Sequence, residues 1–143
     1  MVGIVDYGFY IPKYRIKIAD IALQWGKCAD KIERSLCVTE KAVAGTDEDM
    51  VTMAYEAGAM ALSLHDNLKG KIGAVFVGSE TFPYAVKPVS TSLADWLGLG
   101  NDYLAYDTQF ACKAATGALI SASALVKSGD ISHALVFASD KAN

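Results

Sequence analysis

The sequence predicts an α/β domain organised on a parallel sheet, and three observations predict it. Strand-like and helix-like segments alternate in the order strand, helices, strand, helix, strand, helix, strand. Such alternation gives parallel strands joined by right-handed crossovers. The run Ile72-Gly73-Ala74-Val75-Phe76-Val77-Gly78 is short and apolar throughout, as a strand covered on both faces must be. The stretch Ala114–Val126 carries no charged residue, whereas a helix with one wet face keeps a polar side.

Taken in order, Val2 to Tyr10 mixes glycine with β-branched and aromatic residues and reads as a strand that Pro12 ends. Ile18, Ile21, Ala22 and Trp25 recur at helical spacing within Ile16–Trp25, and Gly26 suits the C-terminal cap. Asp30–Leu36 adds a helical turn or two, and Lys41–Gly45 reads as loop or a short strand. Thr46-Asp47-Glu48-Asp49 is a helix start: a capping side chain and acidic groups favour the positive end of the macrodipole. That reading is preferred to a metal site for the same acidic run. The helix extends to about Leu64, with Val51, Tyr55, Gly58 and Leu62 along one face. After the buried strand, Ser90-Thr91 opens a helix ending near Gly98. Tyr103–Thr108 is a strand, Ala111–Lys127 a helix closed by Ser128-Gly129, and Ser132–Ala138 the last strand. No repeat, low-complexity linker or domain boundary is visible.

Composition narrows the function classes. The 143 residues are 52% hydrophobic and 20% charged, enough apolar side chain to offset ordering entropy in a single domain. A net charge of −3 with Arg15 and Arg34 as the sole arginines lacks the basic stripe of a nucleic-acid binder. No run is long enough for a membrane span, and the N-terminus lacks the pattern of a signal peptide. Cys28, Cys37 and Cys112 are odd in number without a Cys-x-x-Cys spacing. A disulfide framework or a zinc site is therefore not expected, and the setting reads as reducing and cytoplasmic.

The charge-free helix bears on the architecture. One sheet covers one side of it, so a partner chain, a second domain or a continuation of this chain is expected to cover the other. The alternative is that Thr116, Ser121 and Ser123 serve as its wet face.

Sites in open α/β sheets form beyond the carboxyl ends of the strands, and two reactive side chains fall there. Cys112 lies just past the strand Tyr103–Thr108, at the start of the charge-free helix. A thiolate attacks thioesters and carbonyls, and a helix N-terminus stabilises that anion and a developing oxyanion. The competing reading is an inert buried cysteine. Glu80 follows the strand ending at Gly78, beside Phe82, Pro83 and Tyr84. Those side chains would partly desolvate its carboxylate and suit it to general acid/base work; the competing reading is a solvated loop glutamate. Cys28 and Cys37 lack chemical company. His65 reads as a helix C-terminal group, His133 as a packed or edge strand residue, and Lys13 and Arg15 as solvated charges. Gly98-Leu99-Gly100 lacks the setting of a dinucleotide loop.

With these residues named, the chain resembles the N-terminal half of an archaeal-type 3-hydroxy-3-methylglutaryl-CoA synthase of the thiolase superfamily. The resemblance rests on Val2–Gly8, Ile11–Ile16, Glu40–Val43, Asp47–Asp49, Val77–Pro88, Phe110–Ala114 and Ala138–Asp140. Gly78–Pro88 and the block around Cys112 are its specific parts. The resemblance implies a five-layered αβαβα fold of two similar halves. This half would hold a mixed, mostly parallel sheet and a buried helix bearing the nucleophile.

It also implies the condensation of acetyl-CoA with acetoacetyl-CoA in the mevalonate route to isoprenoids. Cys112 would take the acetyl group as a thioester, and Glu80 would remove a proton from the acetyl methyl. No metal or organic cofactor is implied. The family's catalytic histidine lies in the C-terminal half, and neither His65 nor His133 matches its motif. Residues 1–143 are thus expected to be one half, inactive alone. The implied partners are a second copy, across a strand edge for which Tyr103–Thr108 is the candidate, an acetoacetyl-CoA thiolase and a small zinc-bearing bridging protein. Two alternatives stand beside this: a ketoacyl synthase of the initiating type, which lacks the glutamate at the Glu80 position, and a non-catalytic acyl-binding half that needs a second chain.

Overall fold

In the computed structural model, which describes residues 1–142, the chain divides into two units: Ile11–Glu48, and Met1–Tyr10 with Asp49–Ala142. The smaller holds strand β1 (Tyr14–Lys17), helices α1 (Ile18–Gln24) and α2 (Ala29–Leu36), and strand β2 (Glu40–Val43). β1 and β2 pair antiparallel, with Tyr14 opposite Val43 and Lys17 opposite Glu40. Ile16 therefore belongs to a strand rather than to the helix expected there. The pairing partner lies some 25 residues downstream, and a partner is what a strand needs and a helical period does not reveal. Gly26 follows α1 at φ 59°, the left-handed conformation that glycine adopts without a steric penalty.

The larger unit contains α3 (Met50–Leu62), a 3-10 turn (Asp66–Lys71), β3 (Ile72–Gly78), α4 (Val89–Trp96), β4 (Leu104–Thr108), α5 (Ala114–Ser128) and β5 (His133–Ala138). Its sheet runs in the order β4-β3-β5, and both of its strand pairs are parallel. The antiparallel pair belongs to the smaller unit.

Central β3 is buried on both faces, and its alternation sorts the core into layers. Val75 and Val77 join Met50, Val51, Ala54 and Leu62 of α3 and Val89, Leu93 and Ala94 of α4. Ala74 and Phe76 instead meet Ala118 and Ala122 of α5, and Phe76 stacks on Tyr106 at 3.9 Å between ring centroids. Val51, Gly58 and Leu62 are buried and Tyr55 packs beside them, the face expected from their spacing. Among the described residues no helix is long and apolar enough to cross a membrane.

The acidic run before α3 is a cap. The Asp49 carboxylate accepts from the Val51 and Thr52 amides at 2.9 and 2.8 Å, and the Thr52 hydroxyl accepts from the Asp49 amide at 2.9 Å. This reciprocal box satisfies donors that no intrahelical carbonyl reaches. Asp49→Ala is expected to cost about 1–2 kcal/mol, read as a lower denaturation midpoint at unchanged slope.

Val2–Tyr10 forms no strand, contrary to expectation. β propensity records fit to a pleated neighbour, and this segment leans on a helix instead. A Cβ at Gly8 would stand 2.1 Å from the Ala57 carbonyl oxygen. Asp6 accepts from the Tyr7 amide at 2.7 Å and meets His65 Nε2 at 2.8 Å, and these contacts, the amide's first, hold its carboxyl below the usual range. The His65 ring is thus a tether for the N-terminal segment rather than the helix-capping group expected. His133 lies on edge strand β5, as its strand position suggested.

α4 begins at Val89, but no side chain of its own caps it. Asp107 of β4 does so from across the fold, its carboxylate accepting from the Val89 and Ser90 amides at 2.6 and 2.9 Å.

Candidate active site

The carboxyl edge of the sheet is where the two reactive side chains were expected, and both are there. β3 and β4 end on the paired residues Gly78 and Thr108. Glu80 stands two residues past the first and Cys112 four past the second. The strand ends are tied together: the Ser79 amide donates to the Thr108 carbonyl at 3.1 Å, and the Ser139 amide beyond β5 donates to Gly78 at 3.4 Å. The Thr108 hydroxyl reaches the Val77 and Ala114 carbonyls at 3.2 and 3.1 Å. The first turn of α5 lies directly on the end of β3, so close that a Cβ at Gly78 would stand 2.2 Å from the Ala115 nitrogen.

Helix α5 starts at Ala114, later than expected, which leaves Cys112 in the turn that enters it. That turn closes through the Lys113 and Ala114 amides, donating to the Phe110 and Ala111 carbonyls. Ala111 holds φ at 46°, a conformation that costs an alanine about 1 kcal/mol. No side chain caps the N-terminus of α5, so the positive end of its dipole faces this turn without a neutralising carboxylate. Cys112 is exposed, not an inert core cysteine. Cys28 and Cys37 are exposed too, at the two ends of α2 in the other unit.

Only one face of α5 is covered. Ala114, Ala118 and Ala122 are buried, while Leu119 and Ile120 remain 43% and 61% exposed. The sheet thus covers one side of the charge-free helix and leaves the other open, so the helix is not buried all round within this chain.

Glu80 is exposed. The aromatic shield expected around it does not form, because Phe82 turns into the α3–α4 core while Pro83 and Tyr84 stay exposed. Glu80 is therefore open to solvent, and its hydrogen bonding runs through its backbone. Its amide donates to Asp140 Oδ1 at 2.7 Å. The flanking hydroxyls of Ser79 and Thr81 donate to the same oxygen at 2.9 and 3.1 Å. Sequence reading assigned Asp140 no role. Its signal was positional: it is an acidic residue two places past the end of a third strand, as Glu80 is past β3. Among the described residues no group of three or more His, Cys, Asp or Glu side chains is gathered to hold a metal.

A parallel β4-β3-β5 sheet between α3–α4 and α5, with a cysteine in the turn entering α5, matches part of the thiolase fold. Solved structures agree. MvaS in complex with 3-hydroxy-3-methylglutaryl coenzyme A matches at TM-score 0.82 and 32% identity, over 90% of this chain and 31% of that one. A β-ketoacyl-acyl carrier protein synthase III from Thermus thermophilus matches at 0.78 and 26%, over 91% and 40%.

Within that fold the sequence is homologous to the N-terminal part of archaeal hydroxymethylglutaryl-CoA synthases. The synthase of Archaeoglobus fulgidus is 49% identical over 140 residues, and that of Methanocaldococcus jannaschii 47% identical over 142. These alignments take in 98% and 99% of this chain, which spans 41% of the length of either relative. No protein-family model matches it.

Proposed function

We propose that this chain carries the acetyl-accepting part of a hydroxymethylglutaryl-CoA synthase that condenses acetyl-CoA with acetoacetyl-CoA. One observation carries the proposal: a chain about half identical to such synthases holds Cys112 and Glu80 beyond the carboxyl ends of neighbouring strands.

The chemistry follows from the groups. The Cys112 thiolate attacks the acetyl-CoA carbonyl, the tetrahedral oxyanion forms near the open N-terminus of α5, and the CoA thiolate leaves and takes up a proton. Glu80 then removes a proton from the methyl of the acetyl-cysteine. The resulting enolate attacks the ketone carbon of acetoacetyl-CoA, and the new alkoxide is protonated. Water cleaves the cysteine thioester and restores Cys112. The CoA thioesters are substrates, and these steps call on no cofactor.

The same reading places the reaction in the mevalonate route to isoprenoids, in the cytoplasm. It takes the enzyme to be a homodimer joined along the β4 side, where β4 is an edge strand, and to associate with an acetoacetyl-CoA thiolase and a small zinc-bearing bridging protein. The likeness to a ketoacyl synthase III supports a second reading, in which the condensing partner is an acyl carrier protein thioester. The identity of nearly half to the archaeal synthases favours the first.

Glu80→Ala separates the two half-reactions. Mass spectrometry of the chain incubated with acetyl-CoA is expected to find Cys112 acetylated in this variant as in wild type. Solvent exchange of the acetyl methyl protons is expected to fall by about 10²–10⁴-fold, the contribution of a positioned base. Unchanged methyl exchange in Glu80→Ala would remove Glu80 from the mechanism.

A further inference from the structure

We propose that Ser79 and Thr81 are positioning residues that orient Glu80 through the carboxylate of Asp140. The inference deepens the reading of Glu80 as the acid/base and rests on it.

The hydrogen-bond directions carry the argument. A hydroxyl has one proton to give. Ser79 gives its proton to Asp140 Oδ1 at 2.9 Å, and its oxygen then accepts the Thr81 amide at 3.0 Å. Thr81 gives its proton to the same Asp140 oxygen at 3.1 Å and accepts the Lys141 amide at 2.9 Å. The Glu80 amide completes the set at 2.7 Å. Three donors thus converge on one oxygen, a load suited to an acceptor-only carboxylate.

The arrangement brackets Glu80. Its own amide and both flanking hydroxyls are anchored to one atom of a neighbouring strand's extension. Ser79 is buried, with 1% exposure, so its bonds do not compete with bulk water. The Glu80 carboxylate itself takes no hydrogen bond or ion pair from the described residues. These bonds fix the backbone from which the Glu80 carboxylate extends and leave its oxygens free for a proton. A direct partner on that carboxylate would compete with the substrate proton for its lone pairs.

The test uses the purified chain with Ser79→Ala, Thr81→Val and the conservative Thr81→Ser. The first readout is hydrogen exchange of the Glu80 amide by NMR. Its protection is expected to fall about ten-fold in Ser79→Ala and Thr81→Val, as expected for loss of a hydrogen-bonded neighbour. It should stay near wild type in Thr81→Ser, with the Val75 and Val77 amides unchanged in all three. The second readout compares acetylation of Cys112 with methyl proton exchange of the acetylated chain. Acetylation should hold at the wild-type level in all three variants. Methyl exchange should drop about ten-fold in the two that lack a hydroxyl and return in Thr81→Ser. Glu80 amide protection that is indifferent to both lost hydroxyls overturns the proposal. So does methyl exchange that is unchanged by them while Glu80→Ala abolishes it. If Glu80→Ala itself leaves methyl exchange intact, the assignment of Glu80 has failed, a result distinct from either of these.

Discussion

Cys112→Ala is expected to abolish acetyl transfer from acetyl-CoA, a loss on the order of 10⁴-fold or more, as for removal of other covalent nucleophiles. Intact-mass measurement should find one acetyl group on the wild-type chain and none on the variant. The control lies in the other two cysteines. All three are exposed, so exposure alone gives none of them an advantage. The distinction is the setting. Cys112 follows Ala111 at positive φ and lies in the turn entering α5, whose N-terminus no side chain caps and whose dipole favours a developing oxyanion. Cys28 and Cys37 bracket a short helix of the smaller unit, and Cys37 donates to the Arg34 carbonyl. Cys28→Ser with Cys37→Ser should therefore leave the acetyl gain intact. Acetylation that follows Cys28 or Cys37 instead would overturn the assignment of the nucleophile.

Gly78→Ala is expected to destabilise the chain by about 3 kcal/mol, the upper range for overpacking a core. A Cβ there would lie 2.2 Å from the Ala115 nitrogen, 2.5 Å from its Cα and 2.6 Å from the Ala114 carbonyl carbon. These are backbone atoms of the first turn of α5, and they have no rotamer to change. β3 is the buried central strand, so the helix start would have to lift, and Cys112 is in the turn that leads into it. Chemical denaturation should show the loss of stability, and acetylation of Cys112 should slow with it. Gly117 supplies the opposite sign. It lies within α5 with nothing within 4 Å of its added Cβ. Gly117→Ala should stabilise this chain by about 1 kcal/mol through helix propensity. If the two substitutions behaved alike, close approach at Gly78 would not be the operative cause.

Much of the larger unit was legible because its signals are local. The apolar run Ile72–Gly78 is strand β3 to the residue. The acidic run before α3 contains its cap, and the spacing of Val51, Gly58 and Leu62 marks its buried face. Gly129 ends α5 with φ at 86°, as a C-terminal glycine does. The positions of the two candidate catalytic residues were legible for the same reason, since each lies within four residues of a strand end. Glu80's surroundings were not. Adjacent aromatics in sequence implied a shield, but Phe82 gained more by joining an apolar cluster whose members come from α3, α4 and β3.

By itself, then, the sequence determined the alternation of elements, the doubly buried strand, the capping of α3 and the placement of Cys112 and Glu80 beyond strand ends. Period, caps and composition act within a few residues, so they can be read from a window. The tertiary structure alone decided the rest: that Val2–Tyr10 lies along α3 rather than in a sheet, that Tyr14–Lys17 pairs with Glu40–Val43, that Asp107 caps α4, and that Asp140 gathers Ser79, Glu80 and Thr81. Each of these depends on a partner far along the chain. A backbone amide or a β-branched residue advertises that it needs a partner, but only packing decides which acceptor or strand supplies it.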